Sequence, residues 1–169
     1  MGNGVDAFFD SKKIDNSWHL LFYEPNSDCL NNLKNKYPNA EIINKAVTDV
    51  QGHAVFYPDG QHGNIIIEKQ QSGYLVETED IIKIMDRFSD YEKIILRIDV
   101  EGSEYQIVPK MLKHPNIKKI SELHIEWHKQ HEKGNTEEMS LNLIKNIPFV
   151  LESYFNQNGS QRILTTHQT

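Results

Sequence analysis

The sequence predicts a single α/β domain over residues 1–169, with a mostly parallel sheet covered by helices. Apolar strand-like runs alternate with amphipathic helical runs along the chain, and 38% of the 169 residues are hydrophobic. Such alternation is typical of parallel strands joined by crossover helices. An Asn-Gly pair also separates two strand-like runs near the C-terminus, which predicts an antiparallel hairpin.

The first half of the chain is predicted to begin with a strand and a helix. Residues 19–24, HLLFYE, are a nearly continuous apolar run of the kind found in buried parallel strands. Ser27 is then predicted to cap a helix that turns Leu30 and Leu33 toward the core and stops at Pro38. Further strands are predicted over residues 41–47, 53–57 and 64–67.

The next predicted helix begins at Thr78, with acidic residues in its first turn, where their charge favours the helix dipole. Its apolar residues, Ile81, Ile84, Met85 and Phe88, recur with helical spacing. They are therefore expected to face the core.

Residues 93–99, KIILRID, form the most apolar predicted strand of the chain. Ser103 is predicted to open the helix that follows, with Ile107, Val108 and Leu112 on its inner face. The remaining predicted elements are a strand over residues 120–128, a helix over 135–147 and the hairpin over 149–166.

Composition excludes several classes of function. The net charge of −6 argues against a nucleic-acid partner, because phosphate binding needs clustered Lys and Arg. Cys29 is the only cysteine, which rules out an intrachain disulfide and a cysteine-based zinc site. No apolar run approaches the about 20 residues of a membrane span, and the N-terminus lacks the pattern of a secretion signal. A cytoplasmic protein is expected.

Ligands in open α/β sheets bind beyond the carboxyl ends of the strands, so the residues there are the first candidates. Glu24 ends the first strand and could accept two hydrogen bonds from a ribose diol, or could simply be a polar end to an apolar strand. Gly2 and Gly4 could form a tight loop close to a ligand, or belong to a frayed end.

Three carboxylates follow the strand over 93–99, in the sequence IDVEGSEY. Gly102 allows a sharp turn there, and Glu104 would lie in the first turn of a helix, where its charge is favourable. Asp99 and Glu101 precede the helix and are not explained in this way. They are candidates to face a cation, a polar substrate or an acceptor hydroxyl.

The sequence HIEWH places His124, Glu126 and His128 at alternate positions, which predicts that they point to one side of a strand. Two histidines and a carboxylate could bind a metal ion. Alternate positions on a strand lie about 7 Å apart, however, so all three could not bind one ion without a bend. A polar wall facing the substrate is the favoured interpretation.

The motifs GNGVDAFF, EPN after a strand, IDVEGSE and HIEWH together resemble the FkbM-type family of S-adenosylmethionine-dependent methyltransferases. The resemblance implies a Rossmann-like class I methyltransferase sheet that ends in the antiparallel hairpin. In that fold a central first strand precedes the glycine-rich loop, and here only Met1 does. The domain is therefore expected to be short at its N-terminus, lacking that strand.

The resemblance also implies roles for individual residues, with S-adenosylmethionine as the cofactor. No residue is assigned as a metal ligand, and a metal requirement stays open. Gly2, Asn3 and Gly4 would cradle its methionine part, Glu24 with Pro25 would hold the ribose, Ala46 and Val47 would lie near the adenine, and Asp99 would stand close to the transferable methyl with Glu101 beside it. Family members that are understood methylate hydroxyl groups, often on sugars or polyketide-like natural products. Candidates for the base are His128, His124 and Glu101.

Two other functions remain open from the sequence. One is a non-catalytic methyltransferase-like relic or fragment that binds a partner or forms homo-oligomers through exposed strand edges. The other is a metal-dependent hydrolase that uses Asp99, Glu101, His124 and His128. The partner expected for the methyltransferase itself is a small-molecule or glycan acceptor.

Overall fold

The computed structural model of the chain describes residues 14–15, 17–59, 62–65, 72–128, 142, 150–155 and 162–167. They belong to two compact units, one built from residues 1–46 and 52–78 and the other from residues 47–51 and 79–169. Strands and helices occur in both, which agrees with the mixed α/β class. One continuous Rossmann-like sheet stays a prediction.

The first unit contains a parallel strand pair with a helix between its strands. β1 (Leu21–Tyr23) pairs with β2 (Glu41–Ile43), and α1 (Ser27–Lys36) connects them. Phe22 and Leu33 are buried, as the apolar pattern predicted, whereas Leu30 is only half-buried.

The predicted cap of α1 is wrong by one residue. Asn26 has an extended backbone, and its side-chain oxygen accepts a hydrogen bond from the Asp28 amide at 3.1 Å. Ser27 is already the first residue of the helix. Asn and Ser are similar as caps, so the preceding backbone decides which one serves.

The predicted strand over residues 41–47 is also wrong, because it is two strands, β2 and β3 (Ala46–Thr48). Asn44 interrupts it by donating through its side chain to the carbonyls of Glu24 and Pro25. β4 (Gly52–Asp59) pairs antiparallel with β5 (His62–Asn64) and with β6 (Tyr74–Asp80).

A small apolar core lies between these strands. Ala46, Phe56 and Val76 are buried together, and Ile65 packs against them. Apolar side chains from three strands thus hold this part of the first unit together.

The helix predicted to begin at Thr78 begins later, as α2 (Ile81–Asp86). Thr78 lies in β6 opposite Gly52 of β4, so its backbone belongs to a sheet. Asp80 caps the helix instead, accepting from the Ile82 amide at 2.9 Å. The apolar face is confirmed, with Ile81, Ile84 and Met85 buried and Phe88 buried in the 3-10 turn Arg87–Asp90 that follows.

The sheet of the second unit has the strand order β7-β8-β10-β9. β7 (Ile94–Ile98) and β8 (Ile120–Glu126) are parallel, and β10 (Arg162–His167) runs antiparallel to both β8 and β9 (Val150–Phe155). The apolar strand and the terminal hairpin are therefore confirmed. The Asn-Gly pair and most of the helix predicted over 135–147 lie outside the described residues.

Between β7 and β8 runs α3 (Glu104–Met111), followed by the 3-10 turn Pro115–Lys119. Ile107, Val108 and Met111 are fully buried, and Met111 rather than Leu112 completes the inner face. Ser103 lies at the N-cap position as predicted, but its side chain makes no capping hydrogen bond. None of the helices in the described ranges has the length and hydropathy that a membrane crossing requires.

Candidate functional site

Glu24, the residue after β1, is held in place by its own turn. It is only 7% exposed, and its Oε1 accepts a hydrogen bond from the Asn26 amide at 2.9 Å. The Asn44 side chain donates to the Glu24 carbonyl at 2.8 Å and to the Pro25 carbonyl at 3.1 Å. The carboxylate is thereby fixed at the carboxyl end of the strand.

This arrangement fits recognition of a ribose. A carboxylate has about four acceptor positions, and the Asn26 amide uses one of them. The Glu24 carboxylate can therefore still accept the two hydrogen bonds that a ribose diol donates. Ala46 packs in the apolar core and Val47 is half-buried. Gly2, Asn3 and Gly4 lie outside the described residues, so the cofactor loop stays a prediction.

The second acidic strand end, after β7, is organised around Arg97. Its Nη2 lies 2.9 Å from Asp99 Oδ2 and 3.0 Å from Glu126 Oε2, joining the ends of two parallel strands. Sequence reasoning missed Arg97. The signal was its position two residues before Asp99, which places both side chains on one side of a strand.

His128 lies among carboxylates on the same strand ends. Its Nδ1 is 2.8 Å from Glu104 Oε1, while its Nε2 is 3.4 Å from Glu101 Oε2 and 3.7 Å from Asp99 Oδ1. The group formed by Arg97, Asp99, Glu101, Glu104, Glu126 and His128 is called the Asp99 cluster below. The two predicted acidic candidates, Asp99 and Glu101, are therefore brought together with one of the two predicted histidines.

Glu104 is the least expected member of the Asp99 cluster, since the helix dipole alone was enough to explain it. Its side chain is fully buried, and Oε1 also accepts from the Val100 amide at 3.2 Å. Among the described residues, Oε2 is buried with no hydrogen-bond partner. A carboxylate buried in this way is normally retained for a specific partner, and here the partner is His128.

The turn that carries these groups has an unusual backbone. Glu101 has φ of 52° and Gly102 has φ of 113°. Left-handed backbone costs about 1–2 kcal/mol for a residue with a side chain, whereas Gly adopts it readily. The predicted sharp turn at Gly102 is confirmed, and it brings the Glu101 carboxylate to the ring of His128.

The charges around His128 determine its protonation. Burial by itself would lower its pKa, but the hydrogen bond and charge of Glu104 and the charges of Glu101 and Asp99 raise the pKa to about 9. The ring is therefore an imidazolium at neutral pH when only protein groups surround it. Burial and the Asp99 charge raise the pKa of Glu126, and Arg97 opposes that rise.

Comparison with known families identifies the chain. The model of the methyltransferase FkbM domain matches residues 3–160, nearly the whole sequence. The chain belongs to the FkbM methyltransferase family. The predicted resemblance is thus confirmed, and the protein is a member of a methyltransferase family with a mixed α/β structure. Neither the curated proteins nor the solved structures contain a significant match to this FkbM-family chain.

In this FkbM-family chain the segment after β8 is fixed by aromatic residues. The Tyr105 hydroxyl donates to the His128 carbonyl at 3.1 Å, and its ring lies 5.2 Å from that of Trp127. Trp127 is fully buried. The imidazole of His128 is therefore positioned from the backbone as well as from Glu104.

His124 does not join the Asp99 cluster. It is 7% exposed, and its Nε2 lies 3.4 Å from Glu122 Oε2 on the same strand. The expected alternation also stops at Glu126, because β8 ends there and His128 follows the strand. The ligand set predicted for a metal-dependent hydrolase is therefore not assembled as a whole.

The Asp99 cluster of the FkbM-family chain carries more negative than positive charge. Four carboxylates, Asp99, Glu101, Glu104 and Glu126, contact two cationic groups, Arg97 and His128. Like charges at this separation are unfavourable unless a further cation or hydrogen-bond donors answer them. The cluster can therefore accept hydrogen bonds from hydroxyl groups or bind a cation.

Proposed function

We propose that the protein is an S-adenosylmethionine-dependent methyltransferase that methylates a hydroxyl oxygen of a small molecule, such as a sugar or a natural product. The observation that carries the proposal is the buried carboxylate of Glu24, fixed at the carboxyl end of β1 in a chain of the FkbM methyltransferase family. Acidic residues at this position bind ribose hydroxyls in nucleotide-binding α/β sheets.

Glu24 would accept hydrogen bonds from the two ribose hydroxyls. Gly2, Asn3 and Gly4 would surround the methionine part, and Ala46 and Val47 would lie near the adenine, as the family resemblance implies. Bound S-adenosylmethionine supplies a methyl group activated by its sulfonium.

The task left to the protein is to align an acceptor oxygen and to help it lose a proton. Alignment alone can contribute about 7–11 kcal/mol. Asp99 and Glu101 are 23% and 30% exposed, so their carboxylates can accept hydrogen bonds from an acceptor hydroxyl. Both nitrogens of His128 face carboxylates, which makes the ring an orienting group for this edge.

The cofactor part of the proposal is tested by calorimetric titration of the chain with S-adenosylmethionine and S-adenosylhomocysteine, in the presence of EDTA. Micromolar binding is expected. Glu24→Gln should weaken it about ten- to hundredfold, because a hydrogen bond to a partly buried charge is worth about 1.5–3 kcal/mol. Glu77→Gln is the matched control, since Glu77 is an exposed carboxylate on β6 paired with Lys45.

Failure of the folded chain to bind either compound would refute the proposal, as would equal binding by the Glu24 and Glu77 variants. The oxygen specificity is tested by S-adenosylhomocysteine release with hydroxylated acceptors and with their deoxy analogues. Release is expected only where the hydroxyl is present.

A further inference from the structure

We infer that Asp99, Glu101 and His128 form a binding site for a divalent metal ion. Each offers one ligand atom, and these atoms all lie within 4.8 Å of one another. The three residues stand where β7 ends and where the chain leaves β8. In parallel sheets these strand ends meet at the edge where ligands bind.

The distances suit a single ion. Metal–ligand bonds of about 2.0–2.1 Å allow two ligand atoms of one ion to be at most about 4.2 Å apart. His128 Nε2 lies 3.7 Å from Asp99 Oδ1 and 3.4 Å from Glu101 Oε2, so both pairs satisfy this limit. The third pair consists of the ligand oxygens of Asp99 and Glu101, which lie within 4.8 Å of each other. A small rotation of either side chain would bring this distance within the limit.

The surroundings of His128 are those of a metal-binding histidine. Such residues usually donate the N–H of the other ring nitrogen to a carboxylate, which fixes the tautomer and directs the lone pair at the metal. Glu104 provides that carboxylate, at 2.8 Å from Nδ1 and with a fully buried side chain. Glu104 lies outside the ligand set, and its second oxygen is buried with no hydrogen-bond partner among the described residues.

The charges of the Asp99 cluster also favour a bound cation. Arg97 contacts Asp99 through Oδ2 and Glu126 through Oε2, whereas the other Asp99 oxygen, Oδ1, is directed toward His128. A divalent ion would replace the Nε2 proton of the imidazolium, which is released to water, while the Nδ1–H stays hydrogen-bonded to Glu104. The exchange adds one net positive charge to a partly buried cluster that has an excess of negative charge. The ligand set also suggests the class of metal.

One imidazole with two carboxylates suits Mn²⁺, Fe²⁺ or Zn²⁺ better than a purely hard or purely soft ion. Three protein ligands leave positions for water or for a substrate hydroxyl. An ion there would hold the acceptor hydroxyl and lower its pKa. That catalytic role rests on the proposed function, whereas the binding of the metal does not.

The inference is tested by titrating the full chain with Mn²⁺ near neutral pH and following free Mn²⁺ by electron paramagnetic resonance. One ion per chain is expected. Asp99→Asn and Glu101→Gln should each weaken binding at least about tenfold, and Glu104→Gln about tenfold as well, because partners behind a ligand matter nearly as much as the ligand. An ion bound to surface carboxylates would not respond to a change at a fully buried residue.

Asp90→Asn is the control, since Asp90 is an exposed carboxylate of the same unit and the substitution removes the same charge. Circular dichroism verifies folding, and Glu101, at 30% exposure, provides a variant that keeps the core intact. No Mn²⁺ uptake by the folded chain would overturn the inference, and so would equal affinity in all four variants. Cofactor titration in EDTA is a separate readout, so failure of the metal site and failure of the proposed function are distinguishable.

Discussion

Two acidic strand ends of this protein are stabilised in different ways. After β1, Glu24 accepts from a backbone amide and the Asn44 side chain ties the turn, so neutral dipoles hold the carboxylate. After β7, Asp99 and Glu101 contact the cationic groups of Arg97 and His128. A carboxylate held by dipoles suits neutral hydroxyl donors, whereas an ion-paired group with excess negative charge suits cations.

The largest effect on stability is expected at Glu104, the fully buried carboxylate that contacts His128 at the ion-paired strand end. Glu104→Ala should lower the free energy of unfolding by about 3 kcal/mol, because it leaves His128 without its buried partner and the Val100 amide without its acceptor. Urea denaturation of both proteins measures the difference. Gln106→Ala, at an exposed position of α3, should stay within about 0.5 kcal/mol.

A loss below about 1 kcal/mol for Glu104→Ala would mean that the Glu104–His128 contact is not maintained in solution. The contrast between the two strand ends would then be much weaker than the distances indicate.

A smaller effect is expected at the strand end held by dipoles. Asn26→Ala removes the cap of α1 and should cost about 1 kcal/mol in unfolding free energy. Asn32→Ala, an exposed position within the same helix, should be neutral or slightly stabilising because Ala is the better helix former. Thermal or urea unfolding distinguishes the two. Equal effects would show that the cap is not made by Asn26.

The smallest effect on stability is expected at a third carboxylate, Asp80. Its partly exposed ion pair serves as a reference for the two strand ends. Burial tends to raise its pKa, but Lys110 at 2.6 Å, the Ile82 amide and Lys83 lower it below the ordinary value. The unfolded state therefore takes up a proton first as pH falls. Asp80→Asn should cost about 0.5–1 kcal/mol at neutral pH, since the ion pair is partly exposed.

That cost should be present above the unfolded-state pKa of about 3.9 and should disappear as pH falls through the lower folded-state pKa. Urea unfolding of the wild type and of Asp80→Asn at neutral and acidic pH measures it. A gap that is constant or grows in acid would contradict the assignment.

The features that could be predicted from the sequence depend on residues close together along the chain. The inward face of α2, the apolar strand β7 and the terminal hairpin follow from local periodicity and turn residues, and all are found. The inward face of α3 is found as well, except that Met111 takes the place predicted for Leu112. The start of α2 was misplaced because Thr78 is a good cap by residue type. Its backbone pairs instead with β4, 26 residues earlier at Gly52, and that pairing is invisible to local rules.

The candidate site was predicted in part for the same reason. Asp99, Glu101 and His128 were recognised as polar residues at strand ends, but no local pattern links Glu104 to His128, a residue 24 positions away. Arg97 was overlooked because its partner Glu126 lies on the next strand. His124 was predicted to join His128 because the two residues are four positions apart and would lie on one side of a strand. The sequence pattern does not show that the His124 ring lies next to Glu122 on its own strand instead.

The most direct measurement is a binding comparison in which S-adenosylmethionine, in EDTA, and Mn²⁺ are each titrated into the wild type, Glu24→Gln and Glu101→Gln. Opposite losses are expected: Glu24→Gln loses at least about tenfold in cofactor affinity and keeps Mn²⁺, while Glu101→Gln loses Mn²⁺ and keeps the cofactor. Variants that lose both ligands equally, or neither, would contradict the distinct roles assigned to the two strand ends.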